Sequence, residues 1–93
     1  MTKSELIKKL VEKHPSLKEH EIEDLVNLIL GEISQTLAGG DRVELRGFGA
    51  FSVRVRAPRK ARNPRTGETV EVGERKSIYY RPGKELKEQI NAS

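Results

Sequence analysis

The 93-residue sequence predicts a single α+β domain, and three changes of pattern predict it. Apolar residues recur at helical spacing as far as Gly39-Gly40, then alternate with polar residues from Val43 onward, and a short helical pattern returns after Pro82-Gly83. The expected organisation is a helical, dimer-forming part over residues 1–40, strands over 41–82 and a closing helix over 83–93. Within the strands, an arm spans about 54–72.

Thr2-Lys3-Ser4-Glu5 reads as a capping box, a hydroxyl followed three residues later by Glu ahead of an apolar run. Leu6, Ile7, Leu10 and Val11 then predict a first helix from about Lys3 to Lys13. His14-Pro15 ends it, because the residue before proline is pushed out of the helical region. Ser16 and Glu19 read as a second capping box. Ile22, Leu25, Val26, Ile29, Ile33 and Leu37 follow along one face of a long second helix, and Gly39-Gly40 supplies its C-cap. Leu28 and Leu30 make this helix more apolar than one face requires, which points to a partner chain.

The period then falls to two. Val43 and Leu45 alternate with Arg42, Glu44 and Arg46; beyond Gly47-Phe48-Gly49, the residues Phe51, Val53 and Val55 alternate with Ser52, Arg54 and Arg56. This predicts a hairpin with one buried and one charged face. Val70 and Val72 resume the alternation, Ile78 and Tyr80 mark a returning strand, and Leu86 and Ile90 anchor the last helix.

Composition limits what such a domain does. Apolar residues are 34% of the chain, below the globular norm, and no cysteine is present to form a disulfide or thiolate metal site. A small core without staples points to burial against another chain. The longest aliphatic run is Leu28-Ile29-Leu30, and Met1-Thr2-Lys3-Ser4-Glu5 has no signal-peptide character, so the expectation is a soluble protein of a reducing, intracellular compartment. The net charge of +4 is unevenly held: residues 1–40 carry a net −2 and residues 41–93 a net +6.

That positive charge is concentrated. Between Arg54 and Arg65 lie Arg54, Arg56, Arg59, Lys60, Arg62 and Arg65 with no acid. Asn63-Pro64-Arg65-Thr66-Gly67 is a turn sequence, so the segment reads as a two-stranded ribbon with this turn at its tip. Having little to bury, the ribbon is expected to project and to be mobile without a ligand. Most charge runs are simply solvated; pure sign, a specified turn and a proline between the charges favour a polyanion-binding arm. Pro64 reads either as an ordinary turn proline or, its ring being rigid, apolar and without a donor, as a wedge that enters between two base pairs.

Three ordered motifs carry a resemblance: Arg46-Gly47-Phe48-Gly49-Ala50-Phe51, Arg62-Asn63-Pro64-Arg65-Thr66-Gly67 and Arg81-Pro82-Gly83-Lys84-Glu85-Leu86. Together they closely resemble the HU/integration host factor family of DNA-bending proteins, from Met1 to about Asn91. Arg46 before Gly-Phe-Gly and the opening Met-Thr-Lys-Ser-Glu-Leu are most similar to its beta-type chains, from which Ser77-Ile78-Tyr79-Tyr80 departs. The resemblance implies two N-terminal helices intertwined with a partner's, above an antiparallel β saddle with protruding ribbon arms. It implies a nucleoid-associated architectural protein of the bacterial cytoplasm that binds double-stranded DNA through phosphates and the minor groove and bends it. The dimer is homomeric or pairs with a related subunit. Pro64 is implied as the intercalating wedge, with Arg62, Asn63 and Arg65 contacting backbone or base edges beside it. Arg54, Arg56, Arg59 and Lys60 are implied to neutralise phosphates, and Lys3, Arg81, Lys84 and Lys87 to hold flanking DNA. Arg42, Glu44 and Arg46 read equally as a groove-contacting trio or as a surface ion-pair ladder.

Other classes fit less well. His14 and His20 are the only histidines, both in the helical half, and no phosphate-binding glycine loop or metal-ligand cluster precedes a helix. Neither catalysis, nor a cofactor, a metal or a small-molecule substrate is expected. Single-strand and RNA-binding modules need aromatic platforms, and the arm has no aromatic residue. A protein whose arm grips an acidic partner protein is the remaining rival.

Overall fold

The structure, a computed structural model, describes residues 1–92. They form α1 (Lys3–Lys13), α2 (Glu19–Ala38), β1 (Val43–Leu45), β2 (Gly49–Arg56), β3 (Arg59–Arg62), β4 (Thr69–Val72), β5 (Arg75–Pro82) and α3 (Lys84–Asn91). The last helix falls within the expected 83–93, of which Ser93 lies outside the described residues. By its internal contacts the chain divides after Gln35 into two compact units.

In the first unit, the Thr2 hydroxyl accepts the Glu5 N–H at 3.2 Å and donates to its carboxylate at 3.3 Å, so Thr2 caps α1 as the first capping box expects. The second capping box does not form. His14 leaves the helical region at φ −132°, and Leu17 N–H closes a turn on the His14 carbonyl at 3.0 Å. Ser16 lies inside that turn, so α2 starts later: the Lys18 carbonyl accepts from Ile22, and the Glu21 carboxylate accepts the Lys18 N–H at 3.3 Å. At its other end the Gly40 and Asp41 N–H groups donate to Leu37 and Thr36 carbonyls, a Schellman closure with Gly40 at φ +85°.

Ile7, Ile22 and Val26 form the core here, with Leu6, Leu10 and Val11 packed around them. At 1.5 Å per residue, the 11 residues of α1 reach about 16 Å and the 20 of α2 about 30 Å. The shorter helix cannot cover the longer one's apolar stripe. Leu28 and Ile29 accordingly remain 61% and 58% exposed. A groove of about 250 Å³ runs beside them, lined by Leu10, Leu17, Ile22, Leu25, Val26 and Ile29, with His14 its one polar residue.

In the second unit β1, β2 and β5 form an antiparallel sheet in that order, and β3 pairs with β4. Directly opposed residues share a face. One face therefore carries Val43–Phe51–Tyr80 in line, then Val53–Ile78 and Val55–Lys76. The alternation holds, but the chain alone does not bury this face: Val55 is 56% and Ile78 67% exposed. Val70 on β4 is exposed as well, because nothing packs over the ribbon.

The turn between β1 and β2 is locked onto the end of β5. Phe48, Phe51 and Tyr80 cluster with ring centroids 4.7–6.4 Å apart. The Phe48 carbonyl accepts both the Tyr80 hydroxyl at 2.8 Å and the Gly83 N–H at 2.9 Å. This joins the Gly-Phe-Gly and Pro-Gly motifs physically and sets where α3 begins.

Candidate nucleic-acid interface

The second face of the three-stranded sheet is polar and basic. Glu44, Ala50 and Arg81 lie in line across β1, β2 and β5, followed by Ser52–Tyr79, Arg54–Ser77 and Arg56–Arg75. A shallow cleft of about 260 Å³ brings Glu44, Arg46 and Arg81 together around Gly47, Gly49 and Ala50. Arg46 itself sits in the turn after β1, and Arg42 precedes β1. Within this trio Arg42 pairs with Glu44 at 2.6 Å, both exposed, while Arg46 has no part in that ion pair.

The arm continues from this sheet. Ala57-Pro58 on one side and Gly73-Glu74 on the other are unpaired, after which Arg59 opposes Val72, Lys60 opposes Glu71, Ala61 opposes Val70 and Arg62 opposes Thr69. Two residues are skipped on each strand, so the register carries through the break. The six expected arm cations do not share one face. Lys60 and Arg62 lie on one side of the β3–β4 ribbon, and Arg59 lies on the other with Ala61, Val70 and Val72.

At the tip, Asn63 N–H donates to the Glu68 carbonyl and Gly67 N–H to the Asn63 carbonyl, each at 2.8 Å. The Asn63 side-chain oxygen accepts the Arg65 N–H at 2.9 Å, and the Thr66 hydroxyl accepts the Glu68 N–H at 3.3 Å. Gly67 takes φ +75°, which favours glycine and closes the loop. Pro64 opens this loop, exposed and flanked by exposed Arg62 and Arg65. Asn63 thus has a turn-forming role that composition does not reveal.

Lys84 is the first residue of α3 and Lys87 lies one turn on, both exposed; Gly83 caps the helix without a side-chain acceptor. Lys3 opens α1 in the other unit. The sequence motifs do not single out Arg75, which directly opposes Arg56. Pairing the strands outward from the tip locates it, since the two residues stand equally far from the turn. Tyr79 is 41% exposed on the basic face, and the Arg54 guanidinium lies 3.6 Å above its ring. The one aromatic ring on this face is therefore covered by a cation and offers no open platform for a base.

The family model described as "Bacterial DNA-binding protein" matches residues 1–91. The chain belongs to this family. Among its relatives, integration host factor subunit beta of Dichelobacter nodosus is 52% identical over 91 residues, covering 98% of this chain and 95% of that one. Integration host factor subunit beta of Aliivibrio fischeri is 50% identical over the whole of both chains. Among solved structures, the protein of an Anabaena HU–DNA cocrystal superposes with a TM-score of 0.86 at 31% identity, covering all of both chains. The family's motifs correspond to specific contacts in this fold: Gly-Phe-Gly and Pro-Gly meet at the Phe48 carbonyl, and Asn-Pro-Arg-Thr-Gly builds the arm tip. Among the described residues, no helix is long and apolar enough to cross a membrane, and no group of three or more His, Cys, Asp or Glu is arranged to hold a metal ion.

Proposed function

We propose that the chain binds double-stranded DNA through its phosphates and minor groove as a dimer and bends it with its arms. The observation that carries this reading is the arm: a ribbon in continuous register from the basic sheet face to a hydrogen-bonded tip that presents Pro64 between Arg62 and Arg65. Pro64 enters a base step, and the unstacking cost of about a few kcal/mol is offset by the contacts that bent DNA makes. Arg54, Arg56, Arg59 and Lys60 approach phosphates along the arm; Arg81, Lys84, Lys87 and Lys3 hold DNA that flanks the bend. The start of α3 adds backbone N–H groups that favour a phosphate.

The uncovered stripe of α2 and the groove beside it support dimerisation, because apolar surface of this kind is buried against a second chain. The partner is another copy or a related subunit, and in the dimer the two compact units work as one DNA-bending domain. The protein acts by reshaping DNA rather than by catalysis, in the bacterial nucleoid.

The deciding experiment is energy transfer between dyes at the ends of a duplex of about 35 base pairs, a length that resists spontaneous bending. A large rise on adding this chain alone is expected, and shows that a self-dimer suffices. Binding without any rise overturns bending by the lone chain. The same titration at several salt concentrations is expected to give a slope of log K against log salt on the order of −6 to −10, set by about 0.9 per phosphate neutralised.

Arg46→Ala is expected to flatten the preference among DNA sequences while leaving non-specific affinity within about threefold, since base-edge and phosphate contacts separate in this way. Competition binding between a preferred and a random duplex measures it; an unchanged ratio removes Arg46 from any reading role.

A further inference from the structure

We infer that Arg56 and Arg75 form one phosphate clamp at the root of the arm, two guanidinium groups closing on a single phosphodiester. This deepens the DNA-binding reading and rests on it. The two residues are direct partners in the β2–β5 ladder, so their side chains leave the same face from neighbouring positions. Both are exposed, and neither takes part in the Arg42–Glu44 ion pair.

Like charges placed directly across a ladder repel, and a sheet ordinarily sets an acid in one of the two positions. None is present. Along the paired positions of this face, no carboxylate occurs between Glu44 on β1 and Glu71 on the arm. Glu74 lies in the unpaired link beside Arg75, and Lys76 opposes Val55 on the opposite face. The next position on the same face is Arg54, whose guanidinium is held 3.6 Å over Tyr79 and opposes the small Ser77. Arg54 is thereby turned toward the body of the sheet, and Arg56 and Arg75 are left side by side where the sheet ends and the ribbon begins. The repulsion is relieved by an anion, and guanidinium forks fit phosphate oxygens two at a time. A phosphodiester held here fixes where the duplex leaves the sheet face and enters the grip of the arm. Its position beside the break at Ala57-Pro58 ties that anchor to the arm's base.

The test uses the full chain and Arg56→Thr, Arg75→Thr and the double variant, threonine being compatible with a strand. Melting of the free protein is expected to be unchanged or raised by either substitution, because a repulsion is removed. Titrations of a duplex against salt are expected to show each single variant weakened several-fold. The double variant is expected to flatten the slope of log K by about 0.9 per copy of the chain in the complex, the value for one lost phosphate. A flattening near twice that means two separate phosphates, and no flattening means neither arginine meets DNA; each result overturns the clamp. A wild-type chain that fails to bind duplex overturns the DNA-binding reading along with it. Wild-type binding with either of the other two outcomes overturns the clamp alone.

Discussion

Gly49→Ala is expected to destabilise the protein by about 2–3 kcal/mol, at the upper end of what a single added methyl group does in a packed site. Gly49 is buried at the start of β2, and a Cβ there meets the Arg81 carbonyl at 2.6 Å and the Tyr80 hydroxyl and ring at 2.7 Å. The carbonyl belongs to the paired backbone of β5 and cannot swing aside as a flexible side chain does. Relief comes only by parting β2 from β5 or by moving Tyr80, which breaks the bond from its hydroxyl to Phe48. Either movement disturbs the joint from which α3 starts. Thermal melting at fixed protomer concentration reads the effect, since dimerisation makes the midpoint depend on concentration. For a domain this small each kcal/mol shifts the midpoint by roughly 4–8 °C. Gly73→Ala is the control: a Cβ there meets nothing within 4 Å, and a change of under about 0.5 kcal/mol is expected. Equal effects of the two substitutions would falsify the packing argument.

Pro64→Ala is expected to remove most of the rise in end-to-end energy transfer while weakening duplex affinity by less than about tenfold. The asymmetry follows from how the arm divides its work. Its cations lie along both strands and continue to meet phosphates, whereas the tip alone supplies the wedge between base pairs. Alanine is smaller and does not fix the backbone angle that opens the loop, but the tip's own hydrogen bonds from Asn63, Arg65, Gly67 and Glu68 remain available. The comparison therefore tests the ring rather than the turn. Bending and affinity that fall together, or that both persist, would show that Pro64 is only a turn residue.

Much of this architecture is legible in the order of residues alone. The change from a period of 3.6 to a period of two locates α1, α2 and the two faces of the sheet. Polar–apolar alternation is fixed by backbone geometry, whatever the tertiary surroundings. The N-terminus of α2 is harder to place because two overlapping patterns compete there: Ser16–Glu19 matches a capping box by residue type, while Pro15 draws Ser16 into a turn. Alternation overstates burial at Val55, Val70 and Ile78, since it tells which face a side chain takes but not what covers it. Arg75 is hidden from a charge run followed along one strand. Cross-strand neighbours become visible only when the hairpin is closed from its tip. The side-chain bond of Asn63 to Arg65 and the stacking of Arg54 on Tyr79 depend on atomic positions that no spacing rule supplies.

The matched pair of skipped residues at the base of the arm makes the outer ribbon an interchangeable part. Because Ala57-Pro58 and Gly73-Glu74 omit the same number of positions, every residue beyond them keeps the side it would have had in an uninterrupted ladder. Inserting one residue on each strand would invert the outer ribbon, exchanging the side of Lys60 and Arg62 with that of Arg59 and Val72, whereas one residue added to a single strand would be left over as an unpaired bulge. Lengthening both strands together, two residues at a time, would preserve it. Grafts that give such proteins longer, shorter or differently tipped arms should therefore be cut at this joint, with both strands changed in step.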